Sequence, residues 1–256
     1  TGDSYTEGFS VHSNETIGAV LRQLDYNTIS VGKSGNGPLL ELAALKEYGE
    51  PLKPKIVLWL YYINDLSGLK NEMKSSILNK YLDEDNYSQN LISKQKEIDS
   101  VLKNYIKVEW VKKNKKENLA NNPVVKIVKL YNLRMRINVK PTSEPIVLPT
   151  PVFKDVLLKA MKTVSSWNGQ MYFVYLPDWN RYSSGIKHPN RDFVIQTVKE
   201  LNIPIIDIHR EVFEPHQDPL SLFPFRKYNH YNADGYKLVS EAIGKRLITD
   251  GYISIK

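Results

Sequence analysis

Cysteine is absent from this sequence of 256 residues. Without thiols the chain can form no disulfide, no thiolate zinc or iron–sulfur site and no cysteine nucleophile. A long apolar run is also lacking, since none approaches the roughly 18 residues that a membrane-spanning helix requires. The longest apolar stretch, residues 56–63, has the length of one buried strand. Thiol chemistry and a transmembrane helix within these residues are therefore excluded.

The composition that remains is typical of a globular protein. Hydrophobic residues make up 41% of the chain and aromatic residues 11%, spread along its length, which excludes a disordered or collagen-like protein. A chain of this length can form one large domain with a substantial core.

Positive charge is concentrated in a single segment. The formal net charge is +7, yet residues 101–140 alone contain eleven Lys or Arg against two Glu. Such a segment could face nucleic acid, anionic lipid or an acidic polymer, or it could be the solvated surface of a helix. We favour the solvated surface and expect no nucleic-acid binding, because the segment contains no recognised nucleic-acid motif.

Alternating helix and strand patterns predict an α/β fold. The predicted strands are 28–31, 55–62, 170–176 and 203–208, and the predicted helices are 13–25, 39–48, 152–167, 192–201 and 233–248. The nearly continuous apolar run 55–62 is typical of a parallel strand that is covered on both faces. Residues 67–150 interrupt this alternation, so we predict one domain over 1–256 with a helical, basic insertion at 67–150 that could form a lid.

Four short motifs follow predicted strands or precede predicted helices. They are Gly2-Asp3-Ser4-Tyr5, Gly32-Lys33-Ser34-Gly35, Asn64-Asp65 and His230-Tyr231-Asn232. In open α/β folds, ligands bind at the carboxyl ends of the strands. A serine at that edge exposes its hydroxyl, glycines let a backbone N–H approach an oxyanion, and an asparagine amide is a second donor. Each motif alone is also common in ordinary turns.

In this order, Ser4, Gly35, Asn64 and His230 resemble the motif set of the SGNH hydrolase superfamily, also called GDSL esterases and lipases. The resemblance covers nearly the whole chain outside 67–150. It implies a flavodoxin-like three-layer α/β/α sandwich with a parallel sheet. It also implies that Ser4 is the nucleophile, that His230 is the general base, and that no metal or cofactor takes part. The oxyanion hole would consist of the Ser4 and Gly35 N–H groups and the Asn64 side chain.

Two features depart from the family pattern. The acid that orients the histidine usually lies three residues before it, where this sequence has Lys227. Asp218 could supply a carboxylate instead, a backbone carbonyl could hold the imidazole, or the site could be catalytically impaired. The apolar strand that leads into the GDS motif is missing, so we expect this sequence to be a piece of a longer protein. The compartment stays open, with a lean to the bacterial envelope or secretion and any targeting segment upstream.

Three further residues are candidates for contact with substrate. Trp179 and Arg181 follow the strand 170–176, and Arg134 could bind an anionic group, although a surface charge is the simpler interpretation. Aromatic rings at this edge can stack on sugar faces. We therefore predict a serine esterase that hydrolyses an acetyl or short acyl ester on a carbohydrate or another small molecule. The alternatives are an acyltransferase using the same acyl-enzyme, and an impaired domain that binds a glycan or a partner.

Overall fold

The computed structural model describes residues 1–120 and 151–252, which fall into two compact units. The larger unit comprises residues 1–88 and the chain from 143 onward, and the smaller unit comprises residues 89–142. The smaller unit contains helix α6, Gln95–Ala120. Residues 67–88 belong to the larger unit, and the insertion predicted over 67–150 stays a prediction.

Three parallel strands form the sheet of the larger unit. Strands β1 (Ile56–Tyr61), β2 (Gln170–Tyr175) and β3 (Ile205–Asp207) lie in the order β1-β2-β3. Trp59 is paired in register with Phe173, and Phe173 with Ile205. The two strand pairs are parallel because the chain crosses over between them through helices.

Helices surround this sheet. In chain order they are α1 (Ser4–Glu7), α2 (Ile17–Gln23), α3 (Pro38–Ala44), α4 (Asp65–Glu72), α5 (Ser76–Asp83), α7 (Pro151–Ser165), α8 (Asn180–Ser183), α9 (Arg191–Glu200) and α10 (Ala233–Thr249). A π-helical turn, Leu45–Gly49, extends α3.

Side chains alternate between two cores, one on each face of the sheet. Trp59 and Phe173 point into the core that α3, α7 and α9 cover. Leu60 and Val174 point into the opposite core, which α2 and α10 cover. Successive side chains of a strand face opposite sides of a sheet, so a strand covered on both faces is apolar throughout, as β1 is. Helices on both faces of a parallel sheet confirm the predicted three-layer α/β/α class.

Local differences from the sequence predictions have identifiable causes. Helix α2 begins later than predicted, because the Thr16 hydroxyl caps it by accepting a hydrogen bond from the Ala19 N–H at 3.2 Å. The predicted strand 28–31 is irregular. There, the Arg22 guanidinium binds the Thr28 carbonyl at 2.8 Å, and Ser30 donates to the Thr6 carbonyl, so side chains replace a ladder of backbone bonds.

Within the described ranges, no helix combines the length and apolar character needed to cross a lipid bilayer. Residues 121–140, the second half of the basic segment, lie outside the described residues.

Candidate active site

The side chains of Ser4 and His230 meet at the carboxyl edge of the sheet. The Ser4 Oγ lies 2.7 Å from the His230 Nε2, a hydrogen bond between residues 226 positions apart. The backbone of Thr1 runs beside β1, since its nitrogen donates to the Leu58 carbonyl and its carbonyl accepts from the Leu60 N–H. The chain then turns at Gly2 into α1, which places Ser4 level with the end of β1.

Close packing and a side-chain cap fix the turn that presents Ser4. A Cβ atom on Gly2 would lie 2.8 Å from the Leu60 carbonyl oxygen, and its φ of +154° also suits glycine. The Asp3 carboxylate caps α1 by accepting a hydrogen bond from the Tyr5 N–H at 2.9 Å. Its other oxygen accepts from the Ser4 hydroxyl at 3.3 Å. The hydroxyl therefore lies between Asp3 and His230.

His230, the other member of the pair, lies in the loop that leads into α10. The Asn232 side chain caps this helix by accepting a hydrogen bond from the Gly235 N–H at 2.9 Å, as expected for an asparagine at this position. Tyr231 is fully buried, and its hydroxyl donates to the Pro177 carbonyl at 2.6 Å. These two contacts fix the residues that directly follow His230.

Burial lowers the pKa of the His230 imidazole below its ordinary value of 6.5. Removal from water disfavours the charged form of histidine, so at neutral pH the ring is uncharged and its Nε2 can accept a proton. Among the described residues, no carboxylate is hydrogen-bonded to its Nδ1. The structure thus presents a Ser–His pair.

The structure does not bring Asp218 to His230. The Asp218 carboxylate forms an ion pair with the Arg226 guanidinium, which lowers the pKa of this carboxyl. Lys227, at the position of the expected acid, is exposed. Asp218 and Arg226 are neighbours because Phe225 and Arg226 adopt left-handed φ values of +52° and +58°, which fold the loop back on itself.

The candidate oxyanion donors lie on two different loops. Asn64 follows β1 and is the N-cap residue of α4. Burial raises the pKa of the Asp3 carboxyl, and hydrogen bonding by the nearby Asn64 side chain offsets part of that rise. The Asn64 Oδ1 is buried without a hydrogen-bond partner among the described residues. Gly35 has a φ of +89° and open space around its Cα, so a ligand can approach its backbone.

Two glutamates, which the sequence did not single out, anchor the glycine loop that contains Gly35. The Glu7 carboxylate accepts a hydrogen bond from the Ser34 N–H at 2.7 Å and pairs with Lys33. The Glu72 carboxylate accepts from the N–H groups of Gly37 and Leu39 at 2.6 and 2.9 Å. One anchor comes from α1 and the other from α4, so the loop is fixed at both ends. Nothing local in the sequence marks these long-range contacts.

Buried carboxyl groups lie beneath the site. Glu41 and Asp65 are both fully buried, and burial together with repulsion from Asp3 raises both pKa values well above the ordinary range. The Asp65 Oδ2 accepts a hydrogen bond from the Tyr62 N–H at 3.0 Å. Burial also raises the pKa of Asp3. Like charges in an apolar interior favour protonation, so this region does not carry a full set of negative charges.

Trp179 and Arg181, the candidates for substrate contact that the structure describes, form hydrogen bonds with neighbouring residues. The Trp179 Nε1 donates to the Arg226 carbonyl at 3.1 Å, and its ring makes an edge contact with Tyr228 at 6.1 Å. The Arg181 Nε donates to the His209 Nε2 at 3.0 Å, and Tyr182 binds the other ring nitrogen. Burial lowers the pKa of His209. Arg134 lies outside the described residues.

Replacement of Asp218 by asparagine tests whether this carboxylate acts on the histidine. We expect the Asp218→Asn variant to retain the wild-type pKa of His230, because Asp218 is paired with Arg226 instead. The measurement is an NMR titration of the imidazole C–H signals, with His230→Ala used for assignment. A drop in the His230 pKa of about one unit or more would show that Asp218 acts as its acid.

Comparison with known proteins gives one informative structural match. No family model and no curated protein matches this sequence. The fold is similar to that of a "putative lipolytic protein of G-D-S-L family" from Desulfitobacterium hafniense DCB-2, with a TM-score of 0.51 over 95% of each chain. The two sequences are 14% identical, so this match concerns the fold. The match confirms the predicted α/β architecture, which this chain shares with that protein.

Proposed function

We propose that this chain is a serine esterase that hydrolyses an O-acyl ester through an acyl-enzyme on Ser4. The observation that supports it most directly is the 2.7 Å contact between the Ser4 Oγ and the His230 Nε2. This distance lies within the range in which a base removes a proton from a nucleophile. Lipolytic activity named for a structural relative is consistent with ester chemistry.

The first half-reaction would form the acyl-enzyme. The Ser4 oxygen attacks the ester carbonyl carbon, and its proton passes to the His230 Nε2. The carbonyl oxygen becomes an oxyanion, which the N–H groups of Ser4 and Gly35 and the Asn64 amide would stabilise. The C–O bond to the alcohol then breaks, and the imidazolium returns the proton to the departing oxygen. Loss of one oxyanion donor typically costs about 2.7–4 kcal/mol of transition-state stabilisation.

The second half-reaction would release the acid. Water loses a proton to the His230 Nε2 and attacks the acyl carbon, and the Ser4 oxygen leaves with that proton restored. If a sugar hydroxyl replaced water, the same steps would transfer the acyl group. Hydrolase and acyltransferase therefore differ only in which acceptor reaches the acyl-enzyme.

We infer an acetyl or short acyl ester on a carbohydrate as the substrate class. The rings of Trp179 and Tyr228 lie together on the loops that flank His230, and rigid aromatic faces of this kind stack on sugar rings. Arg181 is held at its Nε, and no hydrogen bond joins its two terminal nitrogens to a described residue. These nitrogens could donate to oxygen atoms of the substrate.

A fluorophosphonate probe tests whether Ser4 is activated. We expect one covalent adduct on the intact protein, because the probe reacts with a serine whose proton is removed by a base. Ser4→Ala should prevent the adduct and His230→Ala should slow its formation at least about 100-fold. Intact-mass detection gives the readout. A folded wild-type protein that forms no adduct would favour the impaired, ligand-binding alternative.

The pH dependence of ester hydrolysis reports on the base. We expect kcat/KM to rise with pH through an apparent pKa below 6.5, because burial disfavours the imidazolium and neutral His230 is the active form. At pH 6.5 the rate should therefore exceed half of its plateau value. A stopped assay on a short acyl ester between pH 4.5 and 8 provides the profile. An inflection well above 6.5 would contradict a buried, unpaired imidazole.

Product analysis separates the substrate classes and the two reactions. We expect acetylated sugars to be hydrolysed faster than long-chain lipid esters. The reason is that the residues beside the site offer the aromatic rings of Trp179 and Tyr228 and the terminal nitrogens of Arg181. With excess acceptor sugar present, mass spectrometry should find the acyl group as free acid. Equal or faster lipid hydrolysis would contradict the carbohydrate assignment, and acyl groups recovered on the sugar would identify a transferase.

A further inference from the structure

Within the part of the chain that the structure describes, His230 has no carboxylate partner of the kind that usually completes a catalytic triad. The acid of a triad holds the imidazole in one orientation and stabilises the imidazolium that forms during proton transfer. Among the described residues, no carboxylate is hydrogen-bonded to the His230 Nδ1, and Asp218 is paired with Arg226. Other groups that contact the ring must then orient the imidazole and stabilise the imidazolium.

Two aromatic rings make that contact. The ring centre of Tyr5 lies 4.4 Å from that of His230, and the ring centre of Phe9 lies 5.2 Å from it. Their planes are tilted against the imidazole by 41° and 49°. The electron-rich face of an aromatic ring attracts a cation within about 6 Å, so both rings lie within range of an imidazolium.

We propose that Tyr5 and Phe9 are positioning residues that take the place of the missing acid, fixing the His230 imidazole and favouring its charged form during proton transfer. This inference rests on the proposed esterase function and adds the means by which a Ser–His pair works without a carboxylate.

Tyr5 is rigid because it belongs to the core. It is 2% exposed, and its ring lies 4.2 Å from the ring centre of Tyr62 and 4.8 Å from that of Tyr231. Its hydroxyl donates to the Asn229 carbonyl at 3.4 Å. Because Asn229 immediately precedes His230, this bond joins the core to the histidine loop.

Phe9 is placed by the end of α1 and not by the core. Its N–H donates to the Ser4 carbonyl at 3.0 Å, next to Gly8, which closes the helix in a left-handed conformation. The Phe9 side chain is 56% exposed although it is large and apolar. The Phe9 ring is mostly outside the core and contacts the His230 imidazole. We therefore assign its role to that contact.

A short polar chain ties the same two segments together. The Ser10 hydroxyl donates to the Asn229 Oδ1 at 3.1 Å, and the His230 N–H donates to the same oxygen at 2.8 Å. One segment of seven residues, 4–10, thus supplies four residues that contact His230 or its loop. They are Ser4, Tyr5, Phe9 and Ser10. The nucleophile and the groups that orient its base are therefore placed by one local structure.

Substitution of Phe9 tests the proposal, since its exposure makes unfolding a minor concern. Phe9→Leu keeps an apolar side chain but removes the aromatic face, and we expect kcat on a short acyl ester to fall about tenfold while KM changes less than about twofold. The rate of fluorophosphonate labelling of Ser4 should fall by a similar factor. Phe9→Tyr restores the ring and should retain about the wild-type rates.

Phe193→Leu is the matched control. Phe193 is a partly exposed phenylalanine on α9, at 37% exposure, and makes no ring contact with His230. This variant should keep the wild-type kcat and labelling rate, and circular dichroism should show all three variants folded.

The outcomes separate this inference from the esterase proposal. Normal labelling of the wild type with an unchanged rate in Phe9→Leu would overturn the aromatic positioning role and leave the esterase intact. A change confined to KM, or a loss that Phe9→Tyr fails to restore, would also overturn it. If the folded wild type neither labels nor hydrolyses esters, the esterase proposal fails, and the positioning role fails with it.

Discussion

The hydrogen bond between Ser4 and His230 is the interaction on which the site depends. It joins residues that are 226 positions apart, so it forms only when the segments around Ser4 and His230 pack together on the sheet. Each end of this bond is prepared by a capped helix: Asp3 caps α1 and Asn232 caps α10. The two helix starts thus hold the Ser4 hydroxyl and the His230 imidazole at one edge of the sheet, where parallel α/β folds place their ligands.

Burial determines the electrostatics around this bond. It lowers the pKa of His230 and raises the pKa values of Asp3, Glu41 and Asp65. Both effects favour neutral groups, because a low-dielectric interior disfavours any isolated charge. The result is an uncharged base next to a hydroxyl, with carboxyl groups below it that favour their protonated forms. A neutral imidazole is the form that can accept the serine proton.

The support of the site comes from residues that the motifs do not contain. Glu7 and Glu72 fix the glycine loop through backbone N–H groups, and Tyr5 and Phe9 contact the imidazole. The Asp218–Arg226 ion pair and the Trp179–Arg226 bond brace the loop that leads to His230. Apart from the Asp218–Arg226 ion pair, which lies within one loop, each of these contacts joins two separate segments of the larger unit. Precise placement of a reactive pair generally requires such surrounding contacts.

Local sequence patterns correctly predicted the α/β class of the fold, and they singled out Ser4 and His230, which the structure brings into contact. Three of these patterns are local and can be recognised in a single sequence. They are the apolar run of β1, the alternation of helices with strands, and the cap at Asn232. Ser4 and His230 were recognisable because their motifs stand next to strands or helices. The predicted strand 28–31 was wrong, because its carbonyl and hydroxyl groups bind side chains and loops instead of a ladder.

The groups that surround the His230 ring depend on tertiary packing. Asp218 is near His230 in sequence, yet the left-handed turn at Phe225 and Arg226 directs its carboxylate to Arg226. Such a turn at non-glycine residues has no sequence signature. Tyr5 and Phe9 reach His230 because α1 and the histidine loop pack at the same edge. Contacts through space depend on where whole elements pack, and a single sequence does not specify that packing residue by residue.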